Sequence, residues 1–282
     1  MAVQLIVDSA SDLLPKQCQA LGIVHMPLKV RFNTTEYLDS VDLTHREFYE
    51  KLIESDELPT TSQIPPAEFE EVYRAVKRAG DTAVVITISG KLSGTYQSAL
   101  IAREGYEDCI FVVDSENVCI GERILVLRAA ELRSEGYSAP EIALNLEREK
   151  GKVRVLALLD TLEYLKKGGR ISSAIALAGG LLSIKPVISV KDGEIALVGK
   201  ARGSKQGNNL LHKLVSESNG IDFDRPLCLA YSGLSDALLQ KYIADSRDLW
   251  QDHTEDLPIA TIGCVIGTHV GPGAIAVAFF EK

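Results

Sequence analysis

Through the first half of the chain, short β-branched runs alternate with segments of helical period, and few architectures accommodate that order. "VQLIVD" at 3–8 reads as a strand, followed by a helix-start pattern in "SASDLLPKQCQALG" with Gly22 as its stop. After "PPAEF", residues Phe69, Val72, Tyr73 and Val76 fall at helical spacing, and Gly80 ends the pattern. A strand over 82–88, a helix over 94–104, a strand over 109–113 and a helix from 119 to 135 continue the alternation. Ser138 and Glu141 then stand at capping-box spacing, with Pro140 in the first turn. Strands separated by helices predict a mainly parallel sheet covered on both faces.

The second half has a different rhythm. "KPVISVKDGEIALVGKARG" holds two strand-like runs joined by Asp192-Gly193, a two-residue hairpin signal. "PLCLAYSG" and "AIAVAFFEK" are further strand candidates, with a helical stretch over 234–250 between them. The expectation is an α/β protein of two domains. Residues 1–155 form a mainly parallel α/β domain and residues 156–282 a mixed or antiparallel α+β domain. No internal repeat of fixed period is evident.

Thirty basic against thirty-nine acidic side chains give a net charge of −9, which argues against a dedicated nucleic-acid binder. The five cysteines are scattered without a C-x-x-C pair, so neither a disulfide framework nor a zinc site is supported, and a reducing cytoplasm fits. "MAVQLIVDSAS" lacks the basic and apolar regions of a signal peptide. The weakly charged run 171–190 is interrupted by Gly179, Gly180, Lys185 and Pro186, so no transmembrane segment is expected. Its apolar part, including Ile175, Leu177, Leu181 and Leu182, reads either as core or as the wall of an apolar cavity.

Candidate chemistry gathers at the ends of strands. "VVITISGKLSGTYQSALIAREG" (84–105) is a strand, a glycine- and hydroxyl-rich turn and a helix, a unit that aims backbone N–H groups at one spot suited to an anion. It is not a Walker A loop, a dinucleotide fingerprint or a nucleophile elbow. Ser93, beside Gly94, either caps the helix or contacts a ligand. Thr60, Thr61 and Ser62 precede Pro65 and Pro66 and carry the same two readings. In a parallel α/β sheet these loops would converge at the carboxyl ends of the strands, where two hydroxyl-bearing loops could grip one carboxylate. Asp8-Ser9 and Asp114-Ser115 read as loop-holding residues, with metal ligation the lesser alternative.

His269 stands among glycines 263, 267, 271 and 273, where backbone can approach a ligand closely. His25, His45, His212 and His253 read as hydrogen-bonded core residues. Basic residues concentrate at Lys166, Lys167 and Arg170 and again at Lys200, Arg202 and Lys205, either as a solvated face or as a docking rim.

Taken in order, "VDSASDL", "TSQIPP", "SGKLSGTYQSA", "DSENV", "DTLEYLKKGGRIS" and "GTHVGPGA" resemble the DegV family across nearly the whole chain. That family supplies the fatty-acid-binding subunits of bacterial fatty acid kinase. The resemblance implies one long-chain fatty acid enclosed in an apolar tunnel between the two domains, its carboxylate held where they meet by Thr61, Ser93 and His269, with Gly94 beside them. It also implies a separate ATP-dependent kinase subunit that converts the bound acid to an acyl phosphate for phospholipid synthesis. The chain itself would have no cofactor, metal or catalytic residue. Arg170, Lys200 and Arg202 stand where a docking surface for the kinase or a membrane is expected. Two further readings remain: a serine esterase, from the order Ser93, Asp114 or Asp160, and His269, and a lipid-responsive regulatory or scaffolding protein.

Overall fold

In the computed structural model, which describes residues 2–171, 184–254 and 257–282, the first-half alternation closes into a four-stranded parallel sheet. The elements run β1 (Val3–Asp8), α1 (Pro15–Ala20), β2 (Ile23–Met26), β3 (Lys29–Phe32), β4 (Thr35–Leu38), α2 (His45–Glu54), β5 (Thr60–Ser62) and α3 (Pro66–Ala79). β6 (Thr82–Thr87), α4 (Thr95–Ala102), β7 (Ile110–Asp114), α5 (Ile120–Ser134) and α6 (Ala139–Glu149) follow. The second half contains β8 (Val153–Leu158), α7 (Glu163–Lys167), β9 (Ile184–Lys191), β10 (Glu194–Arg202) and α8 (Gly203–Ser216). It ends with β11 (Cys228–Tyr231), α9 (Ala237–Asp245), β12 (Ile259–Thr261), α10 (Cys264–Val270) and β13 (Ile275–Phe280).

The parallel sheet has the order β2-β1-β6-β7. A six-stranded mixed sheet has the order β10-β9-β8-β13-β11-β12, every pair antiparallel except β11 with β12. A small antiparallel sheet, β4-β3-β5, makes the third. The domain boundary expected near residue 155 lies inside β8.

Local chemistry accounts for the predicted ends. Gly80 closes α3 at φ +69°, and Ser138 and Glu141 form the capping box of α6. Asp192 (φ +50°) and Gly193 (φ +78°) are both left-handed, as a two-residue hairpin turn requires. Three expectations change. The helix after β1 is split, because Asp12 takes φ +57° and Pro15 starts a new helix after a 3-10 turn at Ser9–Ser11. The helix over 234–250 stops at Asp245, where Ser246 (φ −112°) leaves helical geometry. Thr60–Ser62 is a strand pairing with β3, not a cap for α3, whose N-cap is Pro65.

One helix joins the two large sheets. α5 packs against β1 and β6 on one side and β8, β11 and β13 on the other. Its first seven residues, 120–126, are all buried, as expected where a helix has packing partners on every side. Gly121 permits that approach, since a Cβ there would stand 2.3 Å from Val155 Cγ2. The mixed sheet divides its residues by parity: Ala274, Ala276 and Ala278 of β13 and its approach face α5 and the main core. Ile275, Val277 and Phe279 face a second core with Leu211 of α8 and Leu239 of α9.

Candidate functional site

A cavity of about 360 Å³ opens where the loops following β2, β6 and β7 meet the inner face of the mixed sheet. This is the carboxyl end of the parallel strands, as the sequence implies. Leu28, Ile88 and Val118 come from those loops, Ala157 and Ala276 from the sheet, and Val265 from α10. Size and lining both suit a small apolar ligand.

The polar residues of the wall are linked to one another. Thr61, in the middle of β5, turns inward while its neighbours are exposed, and its Oγ1 stands 3.0 Å from His269 Nε2. Nδ1 of His269 is buried with no hydrogen-bond partner among the described residues. It lies against Gly168, where a Cβ would come within 2.2 Å of it. Burial first, and the neighbouring Arg170 guanidinium second, lower the imidazole to about 4, so His269 is neutral at neutral pH.

Ser93 does not cap α4. Gly94 is the N-cap, and Ser93, one residue earlier, shares a 2.9 Å hydrogen bond with the Thr95 hydroxyl and accepts the Thr95 N–H at 3.3 Å. A Cβ on Gly94 would stand 1.9 Å from Gln63 Oε1 and would push the Gln63 side chain aside. Gln63 in turn donates to the Ser98 hydroxyl at 2.8 Å, fastening the β5 segment to α4.

Arg170 belongs to this site and not only to a surface. It lines the cavity, and its guanidinium donates to the Leu92 carbonyl (3.1 Å) and the Gly168 carbonyl (2.7 Å). It thereby straps the Ser93 loop to the backbone beneath His269. Lys200 and Arg202 are exposed on β10, outside the cavity lining. Ile175, Leu177, Leu181 and Leu182, read as a tunnel wall, lie outside the described residues.

The loop-holding roles are visible atom by atom. Asp8 accepts the N–H groups of Ala10 (2.9 Å) and Ile88 (2.8 Å), and Asp114 those of Gly90 (3.2 Å) and Glu116 (2.9 Å). Ser89 donates to the Gly193 carbonyl at 2.7 Å, tying the β9–β10 hairpin tip to the loop that bears Ser93. Three histidine expectations are corrected: His212 pairs with Asp248 at the surface (2.9 Å), His253 is exposed and stacked on Phe223, and His25 is half-buried with an Nε2 that has no hydrogen-bond partner among the described residues. The five cysteines are free and buried.

A hydrolase triad is not assembled. His269 faces Thr61, Ser93 faces Thr95, Asp160 pairs with Lys185, and Asp114 takes backbone N–H groups. Among the described residues no helix is long and apolar enough to cross a membrane.

The family model described as "Uncharacterised protein, DegV family" matches residues 2–282. The chain belongs to the DegV family. A DegV domain-containing protein of Caldanaerobacter subterraneus is 35% identical over 282 residues, 99% of each chain. Among solved structures, the fold is similar to that of a DegV family protein from Thermus thermophilus described for its fatty acid binding. That protein is 33% identical, with a TM-score of 0.88 and full coverage of both chains. A stearic-acid-binding protein from Eubacterium ventriosum is 26% identical at the same TM-score, with 100% of this chain and 99% of that one covered.

Proposed function

We propose that this DegV-family chain binds one long-chain fatty acid in the cavity and presents its carboxylate to a separate ATP-dependent kinase for acyl-phosphate formation. The observation that carries the reading is the cavity's asymmetry. Its body is apolar, while Thr61 and His269 pair at 3.0 Å near Arg170, and Ser93 lines the same cavity. Relatives described as binding fatty acids share the whole fold. Exposed Ser62 and Gln63 border the polar end, so the carboxylate would stand near the surface, within reach of a partner.

The energetics divide between the two ends. Burial contributes about 0.8 kcal/mol per methylene, so the acyl chain supplies most of the affinity. The carboxylate must keep hydrogen-bond donors, or its desolvation would cancel that gain. With His269 neutral and its proton on Nε2, the ring donates to Thr61 and turns the Thr61 hydroxyl toward the ligand. Nδ1 is then a bare acceptor against Gly168 rather than an orphaned N–H. Ser93 supplies the second hydroxyl, and Arg170 a positive charge close by. The kinase performs the chemistry, while this chain positions an oxygen. Lys200 and Arg202 extend a basic surface toward kinase or membrane.

Native mass spectrometry of the purified protein, followed by extraction of the bound molecule, tests the reading. The expected result is one fatty acid per chain, with acyl phosphate formed from it when kinase and ATP are added and reduced in a Ser93→Ala variant. A protein that holds no lipid and takes up none of an added palmitic acid would overturn it.

A further inference from the structure

His269 sits in the last turn of α10, a helix of only seven residues, too short to fix its own register. What fixes it lies at the other end. Asp39, buried in the turn after β4, accepts the Cys264 N–H on Oδ1 (3.2 Å) and the Val265 N–H on Oδ2 (3.4 Å). The same two oxygens take the hydroxyls of Ser40 (3.2 Å) and Ser9 (3.0 Å). Immediately before the helix, Asp12 accepts the Gly263 N–H at 2.9 Å, and Tyr49 donates to the Ile262 carbonyl at 3.0 Å. A carboxylate on the first N–H groups also meets the positive end of the helix dipole.

We propose that Asp39 is a positioning residue for the carboxylate end of the cavity: through α10 it sets where His269, and with it Thr61, stands. The inference rests on the carrier reading, in which those two groups meet the ligand's carboxylate. All four bonds to Asp39 come from donors; an asparagine would turn its NH₂ against one of the two backbone N–H groups, which, unlike the serine hydroxyls, cannot accept. The start of α10 must then move, and the 3.0 Å contact at its far end tolerates little displacement. α10 gives the apolar wall Val265, Ile266 and Val270, whereas Val155, Ala157, Ile188, Val190 and Ala276 stand on β8, β9 and β13 and stay in place, so the loss falls chiefly on the charged end of the ligand.

The test is calorimetric titration of delipidated protein with palmitic acid and with hexadecanol, which share a chain and differ in the head. Asp39→Asn is expected to weaken palmitic acid about tenfold, the scale of a lost bond to a charged group, and hexadecanol less than about twofold. In a His269→Ala background Asp39→Asn should remove almost nothing more, because both act on one contact. Should Asp39→Asn fail to fold, Cys264→Pro deletes the held N–H from the other side. Proline suits the first helical position, and the preceding Gly263 is already extended. Equal losses for acid and alcohol, or losses that multiply in the double variant, would overturn the inference. A native protein that does not prefer the acid to the alcohol would overturn the carrier reading itself, and this inference with it.

Discussion

At the scale of single residues, the polar end of the cavity depends on one hydroxyl and one missing side chain. Thr61→Val keeps the shape and removes the Oγ1 that faces His269. Palmitic acid affinity should fall about tenfold with the melting temperature nearly unchanged, because the lost bond is to a charged ligand in a half-buried place. Titration calorimetry beside a thermal melt separates the two effects, and unchanged affinity would remove Thr61 from the site. Gly168→Ala acts without removing a polar atom. Its methyl group would stand 2.2 Å from His269 Nδ1 and 2.8 Å from Cε1, so the ring must leave its place. Affinity should fall as far as in His269→Ala, while Gly151→Ala, with nothing within 4 Å, should leave it alone. Equal affinities in the two alanine variants would mean that the position of His269 is irrelevant to binding.

At the scale of elements, the cavity exists because the mixed sheet presents small residues to it. Ile188, Ala157, Ala276, Ala230 and Ala260 stand opposite one another across five strands, and Ala157 and Ala276 are its floor. Ala276→Leu would put three further carbons into that space, an insertion of the kind that costs about 1–3 kcal/mol in a packed interior. The ratio of lauric to palmitic acid affinity should rise, as competition for a fluorescent fatty acid would read, and an unchanged ratio would place the acyl chain elsewhere. "AIAVAFFEK" was legible as a strand, as the parallel strands were from their short β-branched runs, but its two faces were not. The central place of β13 was not legible, because strand order is decided by packing between distant segments. β5 was hidden by its three hydroxyl residues, which look like a cap until β3 pairs with them. Asp39 gave no signal at all: in "YLDSVD" it is one loop acid among others, and its helix partners lie 225 and 226 residues away.

At the scale of the whole molecule, the two sheets meet over buried carboxyl groups, which makes the fold sensitive to alkali. Burial is the largest influence on Asp8 and Asp12 and raises them to about 7 and about 8, despite the N–H groups they accept. Glu122 of α5, beside them, is held well above the usual range by burial and then by the Asp8 and Asp12 charges. A carboxyl whose folded pKa exceeds its unfolded value, near 4, stabilises the fold fully below that value. The contribution is lost as pH rises through the folded one, here about 7 to 8 for the two aspartates. His269 pulls the other way: held at about 4, it favours the fold when neutral, and that contribution disappears as pH falls from about 6.5 toward 4. Stability should therefore fall on going from acid toward alkaline solution. Three carboxyl groups outweigh one imidazole on the alkaline side, so the melting temperature at about pH 8.5 should lie several degrees below that at pH 6, at roughly 2–4 °C per kcal/mol for a chain of this size. Glu122→Gln, which fixes the neutral form of one member, should flatten that slope. Melts of both proteins at the two pH values decide the matter: a native melting temperature that holds or rises toward alkali would mean that these carboxyl groups are ionised in the fold at pH 6.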